Sequence, residues 1–122
     1  MTHANQSAEG THVLLDLYGV ERLDDAAHLD TALRHAAKAA GAHIIGANFH
    51  HFGVGQGVTG VLLLAESHIS IHSWPERNFA AVDLFLCGNI NGVDAAIKAI
   101  ISDLKPKSFT QQRILRGISD KD

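Results

Sequence analysis

Long apolar runs are missing from this chain of 122 residues, and none approaches the length that crosses a membrane. Its opening stretch, Met1 to Gly10, also lacks the cationic start and apolar core of a signal peptide. Excess basic charge is absent as well. A formal charge of −3 and a pI near 6.3 leave no electrostatic footprint for a phosphate backbone, so small molecules are better partner candidates than nucleic acid. There is a single cysteine, Cys87, which excludes an internal disulfide and suits a reducing, cytosolic setting. With two prolines, eleven glycines and no run of like charge, nothing reads as a linker. What is present is a chain 46% hydrophobic and 19% charged, suited to one compact domain at 11–118 between flexible ends at 1–10 and 119–122.

Periodicity places the elements. Thr11 to Tyr18 is β-branched and aromatic between two glycines, which predicts a strand. Asp24 opens a helix with Leu23, Ala26, Ala27, Leu33, Ala36 and Ala37 as its stripe, and Gly41 closes it. Ala42 to Phe52 is strand-like and runs into the turn of Gly53, Gly55 and Gly57. Val58 to Ala65 reads as a buried central strand. His68 to Trp74 alternates, with Ile69 and Ile71 on one face and His68, Ser70 and His72 on the other. Phe79 to Leu86 is a further strand, Asp94 to Leu104 a second helix, and Ser108 to Leu115 a last strand. The order β-α-β-β-β-β-α-β predicts an α+β two-layer sandwich, a mostly antiparallel sheet with both helices on one face. The uncovered face carries histidines and calls for water or a second copy of the chain.

Three blocks follow one another in the middle of the chain: Gly57-Val58-Thr59-Gly60, then Glu66-Ser67-His68-Ile69-Ser70-Ile71-His72-Ser73-Trp74-Pro75-Glu76, then Asp83-Leu84-Phe85-Leu86-Cys87-Gly88. In order and spacing they resemble the bacterial S-adenosylmethionine decarboxylases, with patterns close to GVSG, ESHLSIHTWPE and DxFTCG. The likeness runs from Gly10-Thr11-His12 to Arg116-Gly117. It implies a proenzyme that cuts itself between Glu66 and Ser67 and turns Ser67 into a pyruvoyl cofactor.

The resemblance also assigns roles. Ser67 would attack the preceding carbonyl, and a serine hydroxyl needs neighbours that activate it and stabilise the intermediate. Thr59 stands where the family has a serine for that purpose, and its hydroxyl retains one donor and two acceptor lone pairs. His72 holds the place of the base for the α-proton, work that suits an imidazole. Cys87 matches the proton donor to the substrate α-carbon. Phe52 falls where an aromatic ring stacks on adenine, and Glu76 where ribose is hydrogen-bonded. The mature enzyme would bind the substrate amine as a Schiff base and yield the aminopropyl donor for spermidine. A homodimer is implied, with Ser67 and Cys87 of one chain meeting Thr59 and His72 of the other; further pairing of dimers stays open.

Taken one at a time, these residues have plainer roles. A cysteine ending a buried strand commonly packs as a small hydrophobe, His72 and Thr59 suit a strand, Glu66 can fill a turn, and Trp74-Pro75 packs and ends a strand. Their joint order and spacing favours the chemistry. A metal site is not expected, because His50 and His51 point to opposite faces and nothing completes a set with His68 and His72. The chain departs from the family pattern at Thr59, Ser73, Leu86 and Arg77-Asn78-Phe79. The pyruvoyl chemistry also accepts other α-amino acids. Ornithine or arginine as substrate, or a non-processing regulatory homologue, are therefore the alternatives.

Overall fold

A computed structural model describes residues 6–87 and 90–120. Six strands form one antiparallel sheet: β2 (Gly10–Tyr18), β3 (Ile44–His51), β4 (Val58–Leu64), β5 (Ser67–Trp74), β6 (Phe79–Leu86) and β7 (Ser108–Arg116). Their spatial order is β3-β4-β5-β6-β2-β7. Two helices, α1 (Ala26–Ala39) and α2 (Ile90–Leu104), cover one face. This is the α+β architecture and element order read from the sequence. A two-residue ribbon is added to it, because β1 (Gln6–Ser7) pairs with β8 (Ser119–Asp120). The ends expected to be flexible, 1–10 and 119–122, therefore contain paired backbone, and Gly10 already belongs to β2. Residues 1–5 and 121–122, like Gly88 of the third sequence block, lie outside the described residues.

The two-residue period sorts each strand into a helix side and an open side. Val13, Leu15 and Leu17 of β2, Leu62 of β4, Ile69 and Ile71 of β5, and Val82 and Leu84 of β6 are buried beneath the helices. At roughly 1.5–3 kcal/mol for each large aliphatic side chain buried, this layer holds the sheet flat against α1 and α2. Helix α1 supplies Leu29, Ala32, Leu33, Ala36 and Ala37 at helical spacing. Its N-cap is Asp25, one residue after the expected Asp24, and its carboxylate accepts from His28 N–H at 3.0 Å. The neighbouring Arg22 guanidinium, and then the His28 N–H, hold the Asp25 carboxyl below its usual range. At the other end Gly41 (φ 74°) and Ala42 fold back on Lys38 and Ala37 in a Schellman closure.

Helix α2 starts four residues before the expected Asp94. Gly92, inside the helix, lies against the end of α1, where a Cβ would come 3.0 Å from the Ala40 carbonyl oxygen. Close helix packing thus explains a glycine that propensity alone reads as a breaker.

On the open side stand His12, Leu14, Val61, Leu63, Ser70, His72, Ala81, Asp83 and Phe85, brought into lateral rows by the strand registers. Among the described residues, no helix crosses this face. Among the described residues, His12 Nε2 is buried without a hydrogen-bond partner, 3.9 Å from the Asp83 carboxylate.

Candidate active site

The β4–β5 hairpin turns through only Ala65 and Glu66, because Leu64 and Ser67 are already a register pair. Such a tight turn needs a residue at positive φ, and Glu66 takes it at 66°. A non-glycine side chain there is held at a cost of about 1–2 kcal/mol. Ser67 follows at the first position of β5, its hydroxyl donating to the Ala65 carbonyl at 3.4 Å.

Strand β6 runs antiparallel to β5, with His68 opposite Phe85, so the end of β6 returns to the start of β5. Cys87 comes directly after β6, and its thiol donates to the Glu66 carbonyl oxygen at 3.0 Å. That carbonyl belongs to the Glu66–Ser67 peptide bond. Partial desolvation, and then the carboxylates of Glu66 and Glu9, push the Cys87 thiol up, so it keeps its proton at neutral pH. Glu66, Ser67 and Cys87 therefore form one cluster.

A second cluster lies at the other end of β5. His72 is the register partner of Thr59, and the two side chains meet on the open face with His72 Nδ1 3.2 Å from Thr59 Oγ1. Phe52 is tied back by its N–H to the Gly57 carbonyl at 3.0 Å, and its ring meets His50 edge-on at 4.4 Å. Trp74 stacks on Phe79 at 5.3 Å. Glu76 stands on a short 3-10 turn, Pro75–Arg77, closed by Asn78 at φ 50°. Phe52, Gln56, Thr59, His72, Trp74 and Glu76 line a cleft of about 270 Å³. Ligand pockets usually hold roughly 300–1,000 Å³, so this is the scale of part of a site.

The two clusters do not meet within the chain. Ser67 and His72 are five residues apart on one strand, about 17 Å at the ordinary rise of an extended chain.

The departures noted in the sequence have structural jobs. Ser73 is buried, donates to Leu23 O at 2.7 Å and accepts from Val58 N–H at 2.9 Å, which fastens β5 to β4 and to the loop before α1. Leu86 is in the core. Asn78 donates its side-chain amide to Val20 O at 3.1 Å and supplies the left-handed residue that leads into β6. Trp74, expected mainly to pack and end a strand, also borders the cleft. The alternation that sets His72 on the open face could have placed it there. Gln56 and His50 carried no comparable signal. Among the described residues, no group of three or more His, Cys, Asp or Glu side chains is arranged to hold a metal ion, and no helix is long and apolar enough to cross a membrane.

Residues 11–117 match the family model described as S-adenosylmethionine decarboxylase. The chain belongs to this family. Among curated relatives, the S-adenosylmethionine decarboxylase proenzyme 2 of Bacillus anthracis is 43% identical, covering 93% of this chain and 94% of its own. The S-adenosylmethionine decarboxylase proenzyme of Methanococcus vannielii is 46% identical over 91% of this chain and 92% of its own. Among solved structures, the crystal structure of the adenosylmethionine decarboxylase from Aquifex aeolicus VF5 superposes with a TM-score of 0.87 at 38% identity, covering 95% of this chain and 97% of that one. These relatives thus match nearly the whole span of the chain, and the Aquifex aeolicus structure shares its fold.

Proposed function

We propose that the chain is a self-cleaving, pyruvoyl-dependent decarboxylase of S-adenosylmethionine, made as a proenzyme and cut between Glu66 and Ser67. The observation that carries this reading is the Cys87 thiol seated 3.0 Å from the carbonyl oxygen of the Glu66–Ser67 bond. A donor at that oxygen favours the negative charge that develops when the Ser67 hydroxyl attacks the carbonyl carbon. The positive φ of Glu66 presents that carbonyl at the apex of a tight turn.

The residues around position 67 suit a pyruvoyl group formed there. Such a carbonyl supplies the electron sink for the pair left by departing carbon dioxide. Cys87, retained as a neutral thiol, can then return a proton to the substrate carbon. His72 takes the Ser67 α-proton during the cut, and Thr59, bonded to it, supplies a hydroxyl to the intermediate. Phe52 and Trp74 offer ring faces to adenine, and Glu76 offers a carboxylate to the ribose hydroxyls. The product serves as the aminopropyl donor of polyamine synthesis, and the single free thiol fits a cytoplasmic enzyme.

The separation of the two clusters on one strand supports a homodimer. A two-fold axis on the open face near Ser70, midway along β5, would bring the Ser67–Cys87 end of each chain to the Thr59–His72 end of its partner. Two identical sites then form, each combining half of one chain with half of the other. Leu14, Val61, Leu63 and Phe85 on the open face provide apolar contact between the copies.

Intact mass spectrometry with a carbon dioxide release assay tests the reading. Two fragments parting at Glu66/Ser67, the second without an ordinary N-terminal amine, are expected, together with release of label from carboxyl-labelled S-adenosylmethionine. A single full-length mass after prolonged incubation would overturn it. A cleaved protein that releases label only from ornithine or arginine would overturn the substrate alone.

A further inference from the structure

Cys87 Sγ bonds to the carbonyl oxygen of Glu66, and the chemistry of the cut changes what that oxygen is. In the acyl shift, Ser67 Oγ bonds to the Glu66 carbonyl carbon and the carbon–nitrogen bond breaks, leaving an ester and a free amine. In the elimination, the Ser67 α-proton passes to a base, the Cβ–Oγ bond breaks, and its electron pair leaves with Glu66. The remaining enamine takes up water and releases ammonia, so no oxidant or reductant is consumed. Glu66 now ends in a carboxylate. One of its oxygens is the old carbonyl oxygen, and the other is the former Ser67 Oγ.

We propose that the cut reinforces its own proton donor: the carboxylate freed at Glu66 stays against the Cys87 thiol and holds the proton on sulfur more firmly where decarboxylation runs. This rests on the self-cleaving reading above. A carboxylate accepts a stronger hydrogen bond than an amide oxygen and adds a full negative charge, and both oppose formation of a thiolate. A thiolate has no proton to return. The carboxylate has reason to remain, because the preceding residue is anchored by the Ala65 N–H to the His43 carbonyl at 2.9 Å, a bond that the cut does not touch. The groups that already face the sulfur, the side chains of Glu66 and Glu9, act in the same direction. Glu66 is thus a positioning residue through its main chain, acting on the substrate by way of Cys87.

The test compares the cleaved wild type with Ser67→Ala, which retains the Glu66 side chain and the neutral peptide carbonyl. Cys87 is alkylated with iodoacetamide over a range of pH and the product is read by mass. The cleaved protein should react about tenfold more slowly near neutral pH, with its thiol titrating at higher pH. Borohydride reduction of the new N-terminal group should leave that difference in place. Ser67→Gly provides a second uncleaved reference. Equal or faster alkylation of the cleaved protein overturns the inference, as does a slow rate that reduction restores to the uncleaved value. If the wild type never splits, the self-cleaving reading fails and takes this inference with it; if it splits with an unchanged Cys87 titration, only the inference fails.

Discussion

At the start of β5 the chemistry is held by backbone: a two-residue turn, one residue at positive φ, and a thiol bonded to a peptide carbonyl. At the end of β5 it is held by side chains, where Thr59 and His72 pair across strands and Phe52, Trp74 and Glu76 border a cleft. The first region depends on strand register, because moving the β5–β6 pairing by one residue would turn Cys87 away from the scissile bond. The second sets the Thr59–His72 pair beside substitutable groups, Phe52, Trp74 and Glu76, on an exposed rim. Cleavage should therefore tolerate little change while substrate affinity tolerates much, and the two ends should contribute to one site only across a dimer.

Mixing two inactive variants breaks this comparison most sharply. Ser67→Ala disables the first end and His72→Ala the second, and each homodimer should remain without productive cleavage. In the mixed dimer, the intact Ser67 of the His72→Ala chain faces the intact His72 of its partner. That chain alone should be cut, which mass spectrometry of tagged chains can show. If neither chain is cut while the mixed dimer forms, His72 does not act across the interface.

The next largest effect concerns Cys87. Cys87→Ala removes a donor from the scissile carbonyl and the proposed proton donor from the mature site. Cleavage should slow yet finish, whereas kcat should fall by about 10²–10⁴. Timed gels and carbon dioxide release separate the two, and undiminished kcat would refute the proton-donor role.

The fold was legible in the sequence because period-2 alternation is carried by individual strands: His68 to Trp74 gave both its buried isoleucines and its polar face. Glycine was less legible. Helix α2 was expected only from Asp94, because the need for a small residue at Gly92 comes from the distant Ala40. Ser67, His72 and Cys87 stood out as a motif, and the gap of about 17 Å between Ser67 and His72 follows from one extended strand, but the thiol–carbonyl bond could not be seen before the strands were paired, since it depends on register. The buried role of Ser73 was hidden for the same reason, its partners being Val58 and Leu23.

Ser73 lies between His72 and Trp74 but points to the core, so it tests whether the cleft end depends on the layer beneath it. Ser73→Ala leaves the Val58 N–H and the Leu23 carbonyl without a buried partner, a loss of about 1–3 kcal/mol. Denaturant unfolding of the uncleaved Ser67→Ala background should show it as a lower midpoint with an unchanged slope.

The smallest effect should come from Phe52. Its ring is largely exposed at the cleft rim and meets His50 edge-on, so its removal opens no cavity in the core. What is lost is one face of an aromatic stack, about 0.5–1.5 kcal/mol. For Phe52→Ala, KM for S-adenosylmethionine should rise roughly two- to tenfold with kcat nearly preserved, because a stack on adenine is made equally in the ground and transition states. Cleavage at Glu66/Ser67 should keep its wild-type rate, since Phe52 borders the cleft beside His72, at the end of β5 that lies about 17 Å from Ser67 on the same chain. Slowed cleavage would mean that Phe52 of one protomer reaches the turn of its partner before the cut, and that the rim and the scissile bond are less independent than the two ends of β5 indicate.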